Sequence, residues 1–207
     1  MMPADAFKVL LSRVNSSLRG LGYKRSGLRF CLQKQGNWGV LGFQKSARTD
    51  QRRLIFTINV GVCSTRLLRF YSLEKVGNCP TIQDCHLDIR LGHLLPDRDD
   101  KWWTIVDEKG LDQLSDEIVS DVTNVAHQMI CHHVRDEDLM ALWLSGRSPG
   151  LTDLQRLKNL SVLLKAEQDP RFDLIMGEMR KLAERDPNIR GAVLGHFAAL
   201  MESEQTY

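Results

Sequence analysis

The chain reads as α+β: an antiparallel sheet of about five strands, packed by an N-terminal helix and by later helices, then a helical appendage. Two changes of period predict this. Apolar residues recur every three or four positions at the start, alternate between about residues 28 and 62, and return to helical spacing from about residue 111. Size is the third observation, since 207 residues that are 43% hydrophobic suffice for a substantial core. The expected boundary separates an α+β domain, 1–146, from an appendage of about three helices, 147–207.

Taken in order, Phe7, Leu10, Leu11, Val14, Leu18 and Leu21 mark an amphipathic first helix closed by Gly20 and Gly22. Three runs of period two follow: Leu28, Phe30 and Leu32; then Leu41 and Phe43 within 38–46; then Leu54, Phe56, Ile58, Val60 and Val62. Such runs form a meander with one apolar face, on which the first helix packs. Gly39 and Gly61, alone inside strands, signal a bulge or close packing. Residues 65–71 suit a short helix and 77–80 a loop. A fourth strand is expected at 85–91, with Leu87, Ile89 and Leu91 inward, and a fifth at 102–106 after a charged loop holding Asp97, Arg98, Asp99, Asp100 and Lys101.

Leu111, Leu114, Ile118, Val122, Val125 and Met129 then trace one long helix, and residues 136–144 a shorter one. Residues 146–150, rich in glycine with one proline, form the best linker. Beyond it comes a helix through Leu151, Leu154, Leu157, Leu160 and Leu164, then two runs opened by Asp169-Pro170 and Asp186-Pro187. Aspartate as cap and proline at the first helical position are helix-start signals. Residues 202–207 are expected to fray.

Charge is divided unevenly. Residues 1–78 hold 14 Lys/Arg against Asp5, Asp50 and Glu74, whereas the remainder holds 14 against 23 acids. The meander gathers Lys24, Arg25, Arg29, Lys45, Arg48, Arg52 and Arg53 at one rim, a site for phosphate groups or another anion. The competing expectation is that Asp97, Asp99, Asp100, Asp112, Asp116 and Glu117 fold back over it, or that the charges simply deter edge pairing.

The second candidate is the polar parity of the sheet: Gln33, Gln44, Ser46, Thr57, Asn59, His86, Asp88 and Arg90. It would line a shallow groove with His86 as a candidate base beside Asp88, or form an ordinary solvated or covered face. No metal or cofactor is expected. Cys79, Cys85, His86 and His93, like Cys131, His132 and His133, lack the spacing of structural zinc ligands. Five cysteines and no basic-then-apolar leader suggest reduced thiols in a cytoplasmic protein, and no apolar run is long enough to span a bilayer.

Short motifs spaced along residues 5–145 carry a resemblance: residues 21–25, 42–46 and 56–61, then Arg90-Leu91-Gly92 and Asp100 just before Trp102-Trp103. In that order they resemble the largely bacterial DUF4304 family, a domain of unknown function. The resemblance implies an α+β fold and recurrent Gln44, Lys45, Asn59, Arg90, Trp102 and Trp103, and it supplies no catalytic assignment. On a strand, Trp102 and Trp103 point to opposite sides, one capping the core and the other bordering the polar face.

Three functional readings follow. The leading one is a non-enzymatic binding module, with another protein as partner and with Gln44, Lys45, Asn59, His86, Arg90, Trp102 and Trp103 as the contact set. The alternative is an enzyme or ligand-binding domain for a small anionic or nucleotide-like molecule. The third is non-specific nucleic-acid binding by the rim. The helical tail adds a possible self-association surface.

Overall fold

A computed structural model describes residues 1–72, 77–97 and 99–203. Glu74, Arg98 and residues 204–207 of the expected frayed end lie outside them. The chain forms two compact units, Met1–Thr65 with Gly77–Arg135, and Arg66–Val76 with Asp136–Tyr207.

The first unit is the sheet unit. Helix α1 (Pro3–Gly20) carries proline in its first turn, where a missing N–H costs no helical bond, and buries Phe7, Leu10, Leu11, Val14 and Leu18. Strands β1 (Lys24–Ser26), β2 (Arg29–Lys34), β3 (Asn37–Lys45) and β4 (Leu54–Cys63) follow as an antiparallel meander. Nothing in the sequence marks β1, because all three residues are exposed and no alternation is imposed. Next comes α2 (Thr65–Tyr71), the expected short helix, which belongs to the second unit except for Thr65. Strands β5 (Leu87–Arg90) and β6 (Trp103–Ile105) both pair with β4, at residues 59–62 and 54–56. Each is shorter than its expected range.

Register assigns the faces. Phe30 opposes Leu41, Phe43 opposes Ile58 and Val60 opposes Ile89, all on the parity facing α1. There Phe7 lies 4.9 Å from Phe56 and 6.3 Å from Phe43, and Phe56 stacks on Trp103 at 5.8 Å. Each such side chain contributes about 1.5–3 kcal/mol on full burial, so this layer dominates the stability of the unit.

The expected long helix is interrupted. Helix α3 (Leu111–Asp121) and α4 (His127–His133) are joined by a π turn, Val122–Ala126. The buried residues Ile118, Val122, Ala126 and Ile130 fall four apart. In a regular helix a four-residue step overshoots a full turn by about 40°. The wider π turn absorbs that excess and keeps the row on the sheet. A Cβ on Gly39 would lie 2.2 Å from Ile130 Cγ2, so α4 sits directly on β3. Gly39 is thus a close-packing glycine.

The second unit is helical: α2, α5 (Asp136–Leu144), α6 (Asp153–Ala166), α7 (Phe172–Arg185) and α8 (Arg190–Glu202). Thr152 caps α6 by accepting from the Gln155 amide at 3.2 Å. The two Asp-Pro pairs behave differently. Asp186 accepts from the Asn188 amide and opens a 3-10 turn that runs into α8. Asp169 instead binds the Arg171 amide and guanidinium, and α7 begins only at Phe172. The apolar stripes of the tail meet one another through Leu157, Leu160, Ile175, Met179, Val193 and Leu200, all buried. Leu174, Leu194 and Met201 remain exposed.

Candidate functional site

The polar parity of the sheet is built around one close approach. After β5 the chain turns tightly through Leu91–Leu94, and residues 99–101 return against that turn. A Cβ on Gly92 would stand 2.6 Å from the Lys101 nitrogen, so only glycine admits the returning strand. Its return carries Asp100 to the Arg90 guanidinium, with which it forms an ion pair. Trp102 closes the group: its Nε1 donates to Asp100 Oδ2 at 3.2 Å, and the Arg90 guanidinium lies 5.1 Å from its ring centroid. The Arg90 hydrogen bond holds the Asp100 carboxyl below the usual carboxylate range.

Strand pairing extends the patch. Asn59 lies opposite Arg90 and donates its amide to Gln44 Oε1 at 3.0 Å. Thr57, fully buried, donates to the Lys101 carbonyl at 2.9 Å and ties the returning segment to β4. Lys101 and Trp103 both donate to Glu117 Oε1, at 2.6 and 3.3 Å, which lowers the Glu117 carboxyl, the Lys101 bond contributing most. The two tryptophans therefore separate as strand alternation requires. Trp103 is 4% exposed in the aromatic core and Trp102 36% exposed on the patch.

A family model described as Domain of unknown function (DUF4304) matches residues 14–132, more than half of the chain. The chain belongs to this family. No curated protein and no solved structure matches it. In this chain, the run Arg90-Leu91-Gly92 followed by Asp100 before Trp102 and Trp103 thus has a local physical meaning. It encodes an arginine, the glycine that lets the chain return to it, and the carboxylate and ring that enclose it.

The rest of the expected polar groove is filled by the chain itself. The 3-10 turn Ile82–Asp84 crosses this face, and Cβ atoms on Gly42 and Gly61 would meet Ile82 Cγ1 at 2.6 Å and Cys85 Sγ at 2.5 Å. Upstream of it, Cys79 pairs with Cys31 of β2 in a disulfide, a departure from the expected set of five reduced thiols. Long-range pairing is invisible in cysteine spacing. His86 is 8% exposed, and its Nδ1 accepts from the Ser64 amide at 3.2 Å. Burial pushes it down to about 4, and the carboxylate acting on it is Asp84, not Asp88. This geometry gives His86 a structural bond and no place in the Arg90 patch.

The rim residues divide into two groups. Arg48, Arg52 and Arg53 lie in the connection after Lys45, whereas Lys24, Arg25 and Arg29 belong to the β1–β2 hairpin. Lys24 pairs with Cys31, which pairs with Val40, about 17 Å along β3 from Lys45. The faces split the set differently: Lys45, 5.4 Å over the Phe7 ring, and Arg25, 5.8 Å over Phe30, share the side facing α1, whereas Arg29, opposite Gly42, lies on the other side. Arg29 donates to the Cys79 carbonyl at 3.4 Å. Of the acids expected to cover the rim, Asp112 pairs with Arg13, Asp100 with Arg90 and Glu117 with Lys101. Asp50 accepts from the Arg52 and Arg53 amides at 2.8 and 3.0 Å.

One cluster escaped the sequence reading. Tyr23 and His127 Nδ1 are 3.2 Å apart, while Cys131 Sγ lies 3.5 Å from His127 Nε2 and 3.3 Å from Lys34 Nζ. Burial, then the Lys34 charge, lowers His127, and burial raises Tyr23. The spacing of His127 and Cys131 on α4 was a detectable signal.

Proposed function

We propose that the sheet unit is a non-enzymatic protein-interaction module. Its contact surface is Trp102, Arg90, Asn59 and Gln44, continued by the basic β3–β4 connection. The observation that carries this reading is the exposed Trp102 ring stacked with Arg90. Tryptophan and arginine dominate binding hot spots, because they combine apolar area with directed donors. Asp100 already satisfies Arg90, so a small anion would have to displace an intramolecular carboxylate. Arg48 and Arg52 make no side-chain ion pair among the described residues and supply charge for an acidic partner surface.

The same cations favour nucleic acid as a second reading. Phe30, Phe43 and Phe56 weigh against it, since they are buried under α1 and offer no stacking platform. Trp38 pairs with Cys63, at the opposite end of β4 from the arginines. We also take the protein to be bacterial and cytoplasmic, from its family resemblance and from Cys63, Cys85 and Cys131, which form no disulfide. The Cys31–Cys79 pairing weighs against a reducing compartment.

A photo-crosslinking residue at Gln44 tests the reading in cells. An adduct to one acidic protein supports it when the adduct is lost with Arg48→Glu/Arg52→Glu and retained with Lys8→Glu. Failure to form an adduct, combined with steeply salt-dependent binding of duplex or single-stranded nucleic acid by the purified chain, replaces it with the second reading.

A further inference from the structure

The helical unit contains a cavity that the surface just described does not use. Its volume is about 520 Å³, and it is walled by α2, α6 and α8. Small-molecule sites commonly span about 300–1,000 Å³. Phe70, Val162 and Leu200 supply an apolar floor, on which Val162 and Leu200 are buried. The floor is braced from behind: Phe70 packs edge-on against His196 at 5.6 Å, and His196 Nε2 lies 2.8 Å from Ser161 Oγ.

Three cations, Arg66, Arg69 and Lys165, line the same cavity, and among the described residues no carboxylate does. Their commitments differ. Arg66 donates to Glu167 Oε1 at 2.5 Å and lies 3.8 Å from Asp136. Lys165 donates to the Leu200 carbonyl near the end of α8. Arg69 is exposed and has no ion pair among the described residues. An exposed guanidinium lining a cavity with an apolar floor matches one ligand chemistry better than others. An inorganic anion would leave the floor unused, and a neutral apolar molecule would leave Arg69 unused.

We infer that this cavity binds a small amphipathic carboxylate, with the carboxylate paired to Arg69 and the apolar body on Phe70, Val162 and Leu200. Arg66 and Lys165 add positive potential without surrendering their present partners. Arginine pairs with carboxylate through two parallel N–H donors, which fixes the orientation of the head group. This inference is independent of the proposed interaction surface, and either can fail alone.

Titration of the full chain with octanoate, octanamide and acetate, followed by calorimetry and by methyl NMR, tests it. The expected result is octanoate binding with shifts at the Val162 and Leu200 methyls, and affinities at least about tenfold weaker for octanamide and acetate. Arg69→Glu should weaken octanoate binding about tenfold or more, Arg69→Lys should retain part of it, and Ala166→Trp should block it by filling the cavity that Ala166 lines. Unchanged melting temperatures separate these effects from unfolding. Equal affinity for octanoate and octanamide, indifference to Arg69→Glu, or no methyl shifts up to about 10 mM ligand would overturn the inference.

Discussion

Gly92 and Asp99 approach so closely that a Cβ on the glycine would lie 2.2 Å from the aspartate carbonyl oxygen. Backbone cannot yield to that contact as a flexible side chain would. Gly92→Ala should therefore displace residues 99–101 and destabilise the sheet unit by about 1–3 kcal/mol, the usual cost of overpacking. Urea unfolding measures the loss. Near-native stability with unaltered Trp102 fluorescence would contradict the close approach.

Removing Arg90 should behave differently. Its ion pair with Asp100 is at the surface, and exposed pairs contribute about 0–1 kcal/mol. Arg90→Ala should thus leave the midpoint of unfolding almost unchanged while changing Trp102 emission and abolishing the Gln44 crosslink. A large loss of stability would instead assign Arg90 a structural role.

Two histidines make stability depend on acid. Burial pushes His86 and His196 down to about 4, from 6.5 for an ordinary imidazole. Between those values the unfolded chain binds protons that the native chain refuses, so stability falls as pH drops from about 6.5 to about 4. The penalty reaches about 3 kcal/mol for His86. His86→Asn keeps an acceptor for the Ser64 amide without the titration. Urea midpoints across this pH range should show a shallower slope for the variant, and identical slopes would refute the assignment.

The Cys31–Cys79 bond is directly countable. Denatured, unreduced protein should titrate three thiols, those of Cys63, Cys85 and Cys131, and five after reduction. Closing a loop of 48 residues restricts the unfolded chain by about 4 kcal/mol in the loop-entropy account, so Cys79→Ser should lower stability measurably. Five thiols before reduction would remove the bond from the molecule.

Legibility in the sequence tracked the reach of each interaction. The alternation of Phe56, Ile58 and Val60 reports a surface buried on one side, and it located β4 and its faces correctly. It also placed Gln44, Asn59 and Arg90 on a common side, as pairing confirms. Strand β1 left no trace, because its three residues are exposed whichever way they point. The π turn was hidden for a related reason: apolar residues four apart also fit a regular helix over a short window. Nor could spacing reveal that Asp100 returns to Arg90, that Cys79 reaches Cys31, or that Ile82 lies over Gly42. Those contacts depend on how loops close, and loops carry no periodic signal.

The Ile82 turn has a consequence for competition. Residues 79–86 are anchored on one side by the Cys31–Cys79 bond and on the other by the pairing of β5 with β4. Chain connectivity holds such a segment against the sheet at an effective concentration on the order of millimolar or above. The glycine notch therefore has a resident occupant drawn from its own polypeptide. Any outside molecule seeking the centre of that face must first win against a tethered rival, which leaves the open end of the sheet, beside Gln44 and Trp102, as the ground where recognition is cheapest.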